Sequence, residues 1–155
     1  MSETTTKRVL TLDSNVFVGA AKGDEPYRKK CSEILKLVPD SFVLSEPSIV
    51  YQEVCGTVAR RVGASEATEF GEKLDRFVPQ ELLFVCDRNF CLSSYSLCSE
   101  YGIYSVDALY LGTAIGSGAI LVSLDDEDFI GRLRKNRHNI EAYHVSDFPY
   151  YAMSK

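Results

Sequence analysis

Two hydrophobic patterns alternate along this chain: short continuous apolar runs, and stretches where apolar residues return every three or four positions. Val9 to Leu12 is a short run ending at Asp13 and predicts a strand. Asp24-Glu25-Pro26 opens a helix with Tyr27, Cys31, Ile34, Leu35 and Val38 on one face, and Pro39-Asp40 stops it. Phe42 to Leu44 predicts a second strand. Ser45-Glu46-Pro47 reads as the cap of a long helix carrying Ile49, Val50, Glu53, Val54, Val58 and Val62, which Gly63 ends. Another helix starts at Ser65, with Ala67, Phe70, Leu74 and Phe77 inward, and Leu82 to Cys86 predicts a third strand. Asp87 caps a helix that runs to Tyr101 and stops at Gly102. Ser105 caps the next, Val106 to about Ile115, ended by Gly116 and Gly118. Ala119 to Leu124 is a continuous apolar strand with Asp125 directly after it. A short helix from Glu127 to about Arg134 leads to a last strand at Ala142 to Val145.

Strands alternating with helices predict an α/β fold with a mostly parallel sheet. The two runs Val9–Leu12 and Ala119–Leu124, apolar but for Thr11 and Ser123, read as its buried central strands. No repeat or Gly/Ser-rich linker divides the 155 residues, so the chain reads as one domain with its core over about 8–147. With 45% apolar and 25% charged residues, disordered and low-complexity classes are excluded. No apolar run approaches the ~20 residues of a membrane span, and Met1 to Arg8 is polar without a signal-peptide segment. The expectation is a cytoplasmic protein with no membrane partner.

The net charge of −5 disfavours gripping a long nucleic acid by charge alone, but not a small phosphate site built on a metal ion. The five cysteines, Cys31, Cys55, Cys86, Cys91 and Cys98, contain no C-x-x-C pair, lack zinc spacing, and read as small core residues.

The candidate chemistry lies in carboxylates. Asp13 and Asp125 each follow a strand's carboxyl end, the edge at which open parallel sheets bind ligands. Asp107 sits in the first turn of a helix that is apolar nearly all round, where an acid also favours the helix dipole. Glu53 borders the buried stripe of its helix. Ile49, Val50, Gly56 and Thr57 occupy the positions one turn away, so no basic partner is local. Four acids brought together either protonate in part or bind a cation, and an oxygen-only set favours Mg2+ or Mn2+ over zinc.

These residues fall in a recognisable order. Leu12-Asp13-Ser14-Asn15-Val16-Phe17, then Glu53, then Ser105-Val106-Asp107-Ala108-Leu109, then Leu121-Val122-Ser123-Leu124-Asp125 with Asp128-Phe129 behind it, resemble the motifs of PIN-domain nucleases. The likeness is to the compact single-domain type typified by VapC toxins and runs over about Val9 to Val145. It implies a three-layer α/β/α sandwich and a Mg2+- or Mn2+-dependent endoribonuclease. Asp13, Glu53, Asp107 and Asp125 take the catalytic, metal-binding positions. A metal-activated water would hydrolyse the phosphodiester in line, leaving 5′-phosphate and 3′-hydroxyl ends. Ser14 and Ser123 orient acids or water, and Asn15 braces a turn. The family commonly has one residue between its last two acids; here Asp125-Asp126-Glu127-Asp128 has two, and Asp128, next to Phe129, is the better fifth ligand. The resemblance also implies a homodimer, single-stranded or structured RNA as substrate, and a small antitoxin protein as a candidate partner.

Other features have plainer explanations beside them. Arg132, Arg134, Lys135 and Arg137 put four cations in six positions, suited to RNA phosphates or to a helix's carboxyl end. Arg60 and Arg61 lie about two turns beyond Glu53, as solvated residues or as flanks of the site. His138 and His144 belong to no motif. Tyr27, Tyr101 and Tyr110 read as core or interface, and the tail from Asp147 is apolar enough to dock. Two other functions are consistent with parts of the pattern. A non-catalytic RNA- or protein-binding domain would tolerate loss of the acids, yet all four are present. An aspartyl-phosphate phosphatase needs a second acid two residues after the first, where this chain has Asn15.

Overall fold

In the computed structural model, which describes residues 7–136 and 140–151, the first apolar run forms β1 (Arg8–Leu12). With only Asp13 between them, a helix follows, α1 (Ser14–Ala21), whose Val16, Phe17 and Gly19 are buried. Its residues carry no polar stripe to mark a helical period, so the pattern above contains no helix there. Next come α2 (Arg28–Leu35) and β2 (Phe42–Leu44). Ser45-Glu46-Pro47 is not a helix cap. Glu46–Pro47 is a short strand, β3, paired in parallel with β4 (Leu83–Phe84) in a separate two-stranded sheet. Proline is tolerated there because an edge strand does not need its N–H. The long helix α3 (Ile49–Arg61) begins beyond it and packs on α4 (Ala64–Phe77).

The helix expected from Asp87 to Tyr101 is two: α5 (Arg88–Ser94) and α6 (Ser96–Tyr101), which meet at Tyr95. Asp87 caps α5, accepting the Phe90 N–H at 2.9 Å. α7 (Ser105–Ser117) ends at Gly118, whose φ of 65° lets the chain turn at once into β5 (Ile120–Ser123). Asp126–Ile130 is a single wide π-type turn, followed by α8 (Gly131–Lys135) and β6 (Ala142–His144).

The main sheet has the order β2-β1-β5-β6, with every pairing parallel. β1 and β5 are the central pair, in register Leu10 with Ile120 and Leu12 with Val122. Leu10 and Leu12 are fully buried, and so is the whole of β5. α1 packs against β1 and β5, as does α7, giving an α/β/α layering around a mostly parallel sheet. The chain runs outward from β1 to β2 and then returns to the other side of β1 for β5. Strand order therefore reverses between β1 and β5, and such a switch point opens a crevice at the strands' carboxyl ends.

Among the described residues no helix is long and apolar enough to cross a membrane. The tail docks on the sheet: Phe148 is buried, and Tyr150 lies 6.0 Å from the Phe42 ring. Tyr101 and Tyr110 are buried, whereas Tyr27 is exposed. The cysteines are not uniformly core: Cys31 is buried, Cys91 is exposed, and all five are free. Arg137, His138 and the tail beyond 151 lie outside the described residues.

Candidate active site

The crevice at the end of β1 and β5 is lined by acids. Asp13 continues β1 by one residue, its N–H donating to the Val122 carbonyl at 2.9 Å. Its side chain is buried. Ser123 Oγ donates to Asp13 Oδ2 at 2.7 Å, and Asn15 Nδ2 donates to the same oxygen at 3.3 Å. The Ser14 contact with Asp13 is a hydrogen bond from the Ser14 backbone. Burial is the main cause that raises the Asp13 carboxyl to about 6. The Ser123 bond works against it, while the charges of Glu53 and Asp125 add to it.

Asn15 and Ser123 join the two strand ends. Asn15 Nδ2 donates to Ser123 Oγ at 3.1 Å, and Asn15 Oδ1 accepts the Leu124 N–H at 3.0 Å. Ser123 Oγ in turn accepts the Asp125 N–H at 3.0 Å. Asp125 caps the wide turn, its Oδ1 accepting the Asp128 N–H at 2.9 Å, while its carbonyl accepts from Ile130 at 3.0 Å. The turn depends on Gly131, since a Cβ there would sit 2.5 Å from the Asp126 carbonyl oxygen.

Asp107 rises from the first turn of α7. Its carboxyl is pushed up to about 7, by burial first and then by the charges of Asp13, Asp125, Glu53 and Asp128 in that order. Every acid singled out from the sequence thus acts on this one group. Among the described residues, no Lys or Arg forms an ion pair with Asp13, Glu53, Asp107 or Asp125. The basic residues pair elsewhere, Arg132 with Asp128 at 3.4 Å and Arg134 with Asp126 at 3.5 Å and Asp147 at 3.2 Å. Arg60 and Arg61 are exposed in the last turn of α3, about 10 Å along the axis beyond Glu53.

Three side chains to which the sequence assigned no part in the site support the acids. The Tyr110 hydroxyl donates to Glu53 Oε1 at 2.7 Å. Tyr110 lies three residues after Asp107, so helical spacing places it on nearly the same face of α7. His144 ends β6, where its Nδ1 accepts the Ser146 N–H at 3.1 Å. The ring proton is then on Nε2, which donates to the Leu124 carbonyl at 3.2 Å. The peptide unit ahead of Asp125 is thus held at both its polar groups. Glu46, fully buried, accepts the Leu12 N–H at 2.8 Å, one residue ahead of Asp13.

The donor set fits a hard divalent cation: carboxylate oxygens only, mutually repelling, with no basic side chain among them. Among the described residues no group of three or more His, Cys, Asp or Glu side chains stands close enough together to hold a metal ion as placed. An apolar cavity of about 290 Å3, lined by Phe17, Leu35, Leu44, Phe70 and Leu74, is separate from this cluster, and none of the acids lines it.

No curated protein matches the chain. Solved structures do, at low identity. A toxin–antitoxin complex from Klebsiella pneumoniae is 21% identical, with a TM-score of 0.59, covering 81% of this chain and 92% of that one. Mycobacterium tuberculosis VapC20, described as a Sarcin-Ricin loop cleaving toxin, is 14% identical, with a TM-score of 0.62, covering 79% and 93%. VapBC2 from Rickettsia felis, bound to a DNA fragment from its promoter, is 17% identical, with a TM-score of 0.57, covering 88% and 98%. These likenesses are of fold. The sequence itself matches the PIN domain over residues 10–135, and the chain belongs to the PIN domain family.

Proposed function

We propose that this protein is a divalent-metal-dependent endoribonuclease. The observation that carries the reading is the gathering of acids around Asp107: burial first, and then the charges of Asp13, Asp125, Glu53 and Asp128, raise its proton affinity, while among the described residues no Lys or Arg pairs with Asp13, Glu53, Asp107 or Asp125. A cluster of that kind pays for its own repulsion unless it receives a cation or protons. Asp13, Glu53, Asp107 and Asp125 would hold Mg2+ or Mn2+, with Asp128 beside them. A bound ion would supply Lewis-acid polarisation of a phosphate and a water nucleophile at neutral pH.

The protein's own groups supply position. Ser123 and Asn15 hold Asp13, Tyr110 holds Glu53, and Ser123 with His144 holds the peptide ahead of Asp125. Asn15 occupies the place where an aspartyl-phosphate phosphatase needs an acid, and its amide is engaged in bridging. That favours hydrolysis without a phospho-aspartate. Arg132 and Arg134 are half-exposed and paired to exposed carboxylates, contacts weak enough to exchange for RNA phosphates. Arg60 and Arg61, exposed in the last turn of α3, are further candidates for RNA contact.

The solved structures of similar fold include toxin–antitoxin complexes, and we assign this protein the toxin's part, as a homodimer with a small antitoxin partner. The test is direct. Purified protein with Mn2+ cuts labelled single-stranded RNA, EDTA stops it, and Asp13→Asn or Asp107→Asn abolishes it. Cutting that survives either substitution marks a contaminating nuclease and removes the reading.

A further inference from the structure

β2 leaves β1 after Leu44. Up to there the two strands share an ordinary parallel ladder, which closes with the Ser45 N–H donating to the Leu10 carbonyl at 2.8 Å. The next rungs of such a ladder join the Leu12 N–H to the Ser45 carbonyl, and the N–H of residue 47 to the Leu12 carbonyl. The second cannot form, because residue 47 is proline. The Ser45 carbonyl takes the Thr11 hydroxyl at 2.8 Å, as the chain turns to pair Glu46 and Pro47 with Leu83 and Phe84. Leu12 is fully buried, so its N–H would be left without water or a backbone acceptor. Glu46 Oε1 accepts it instead, at 2.8 Å. A side chain thus replaces the missing rung directly ahead of Asp13.

The rest of this carboxyl is unusual. Glu46 Oε2 is buried and has no hydrogen-bond partner among the described residues. A charge there would be costly. Burial, opposed by the Leu12 bond and assisted by the charge of Asp13, raises its proton affinity well above the ordinary value. The geometry needs an acceptor at Oε1 and no charge at Oε2.

We infer that Glu46 is a positioning residue for the metal site, fixing through the Leu12 peptide the point and direction at which Asp13 leaves β1. The inference rests on the reading of Asp13 as a metal ligand. Glutamine keeps the acceptor and the shape. Methionine keeps approximate size and removes the acceptor. Aspartate keeps the carboxyl but is shorter by about 1.5 Å, out of reach of the Leu12 N–H.

The experiment compares wild type, Glu46→Gln, Glu46→Met and Glu46→Asp as full chains. Mn2+ affinity is read from the free-ion EPR signal, and exchange of the Leu12 amide by NMR without metal. We expect Glu46→Gln to bind Mn2+ within about threefold of wild type, and Glu46→Met and Glu46→Asp to bind about tenfold or more weakly. The Leu12 amide should exchange slowly in wild type and Glu46→Gln, and at least about tenfold faster in the other two. Wild-type affinity in Glu46→Met, or Glu46→Gln as weak as Glu46→Met, overturns the assignment. If Glu46→Met does not fold, the order of Glu46→Gln against Glu46→Asp decides, and a stronger Glu46→Asp overturns it. A wild type that binds no Mn2+ counts against the metal reading itself. The positioning claim then falls if the Leu12 amide in Glu46→Met or Glu46→Asp exchanges as slowly as in wild type.

Discussion

The Tyr110 hydroxyl donates to Glu53 Oε1 across 2.7 Å, tying the helix that carries Asp107 to the helix that carries Glu53. Tyr110 is fully buried. Tyr110→Phe removes the hydroxyl and nothing else, and leaves Glu53 free to rotate. The expected loss is about tenfold in Mn2+ affinity, with about 1 kcal/mol of stability. Mn2+ titration and a thermal melt on the same preparation check both. Unchanged affinity would show that Glu53 needs no support.

Asp13 and Asp107 set a pH dependence of definite sign. Both carboxyls are raised from an ordinary 3.8, to about 6 and about 7. The folded state therefore binds their protons more tightly than the unfolded state. Without metal, the stability they contribute is fully present only below the ordinary 3.8 and is lost as pH rises from there through about 6 and about 7. Metal binding needs the ionised forms, so Mn2+ affinity and cutting rise over the same window. Asp107→Asn should melt a few degrees higher than wild type at pH 8 without metal, and lose most of the Mg2+-induced rise in Tm. Melts at pH 5.5 and pH 8, with and without Mg2+, test this, and an Asp107→Asn protein less stable at pH 8 contradicts it.

Asn15 tests whether the strand ends act as a unit. Its amide reaches Asp13, Ser123 and the Leu124 N–H. Asn15→Ala should cost at least about tenfold in cutting rate. Asn15→Asp keeps the Leu124 bond but sets a carboxyl where an amide now lies 3.3 Å from Asp13 Oδ2, so it should be as poor or poorer. Rates on labelled RNA for both variants check this. An Asn15→Asp protein that hydrolyses phosphomonoesters would instead favour phosphatase chemistry.

Gly131 tests the wide turn. A methyl group there meets the Asp126 carbonyl at 2.5 Å, a contact with backbone that cannot swing aside. Gly131→Ala should cost about 1–3 kcal/mol and move Asp125 and Asp128 together. Chemical denaturation measures the first effect and Mn2+ affinity the second. A protein unchanged in both would mean that the turn relaxes freely.

Much of this arrangement is legible in the residues. The continuous apolar runs at Val9–Leu12 and Ala119–Leu124 identify β1 and β5, because only strands buried on both faces dispense with alternation. With those strands adjacent, Asp13 and Asp125 must emerge side by side, and Asp107 falls in the first turn of α7 as expected, although Ser105 is the first helical residue and makes no cap, Tyr104 holding that position. What sequence could not convey was carried by contacts across the fold. Pro47 suits the first turn of a helix or an edge strand equally, and its partner, Phe84, lies 37 residues away in a run too short to recognise. The burial of Glu46 depends on a backbone N–H orphaned in another strand, which no local pattern records. Nothing near His144 in sequence announces the Leu124 carbonyl, 20 residues back, as its acceptor. α1 follows Asp13 without a side-chain cap or polar stripe, so its helicity is imposed by packing.

The central claim is that Asp13, Glu53, Asp107 and Asp125 share a divalent ion. An anomalous difference map from crystals soaked in Mn2+ tests it most directly. The account predicts a Mn2+ peak within coordination distance of carboxylate oxygens from these side chains, at the ends of β1 and β5. Manganese bound only elsewhere, or no peak in crystals whose protein cuts RNA, would contradict it.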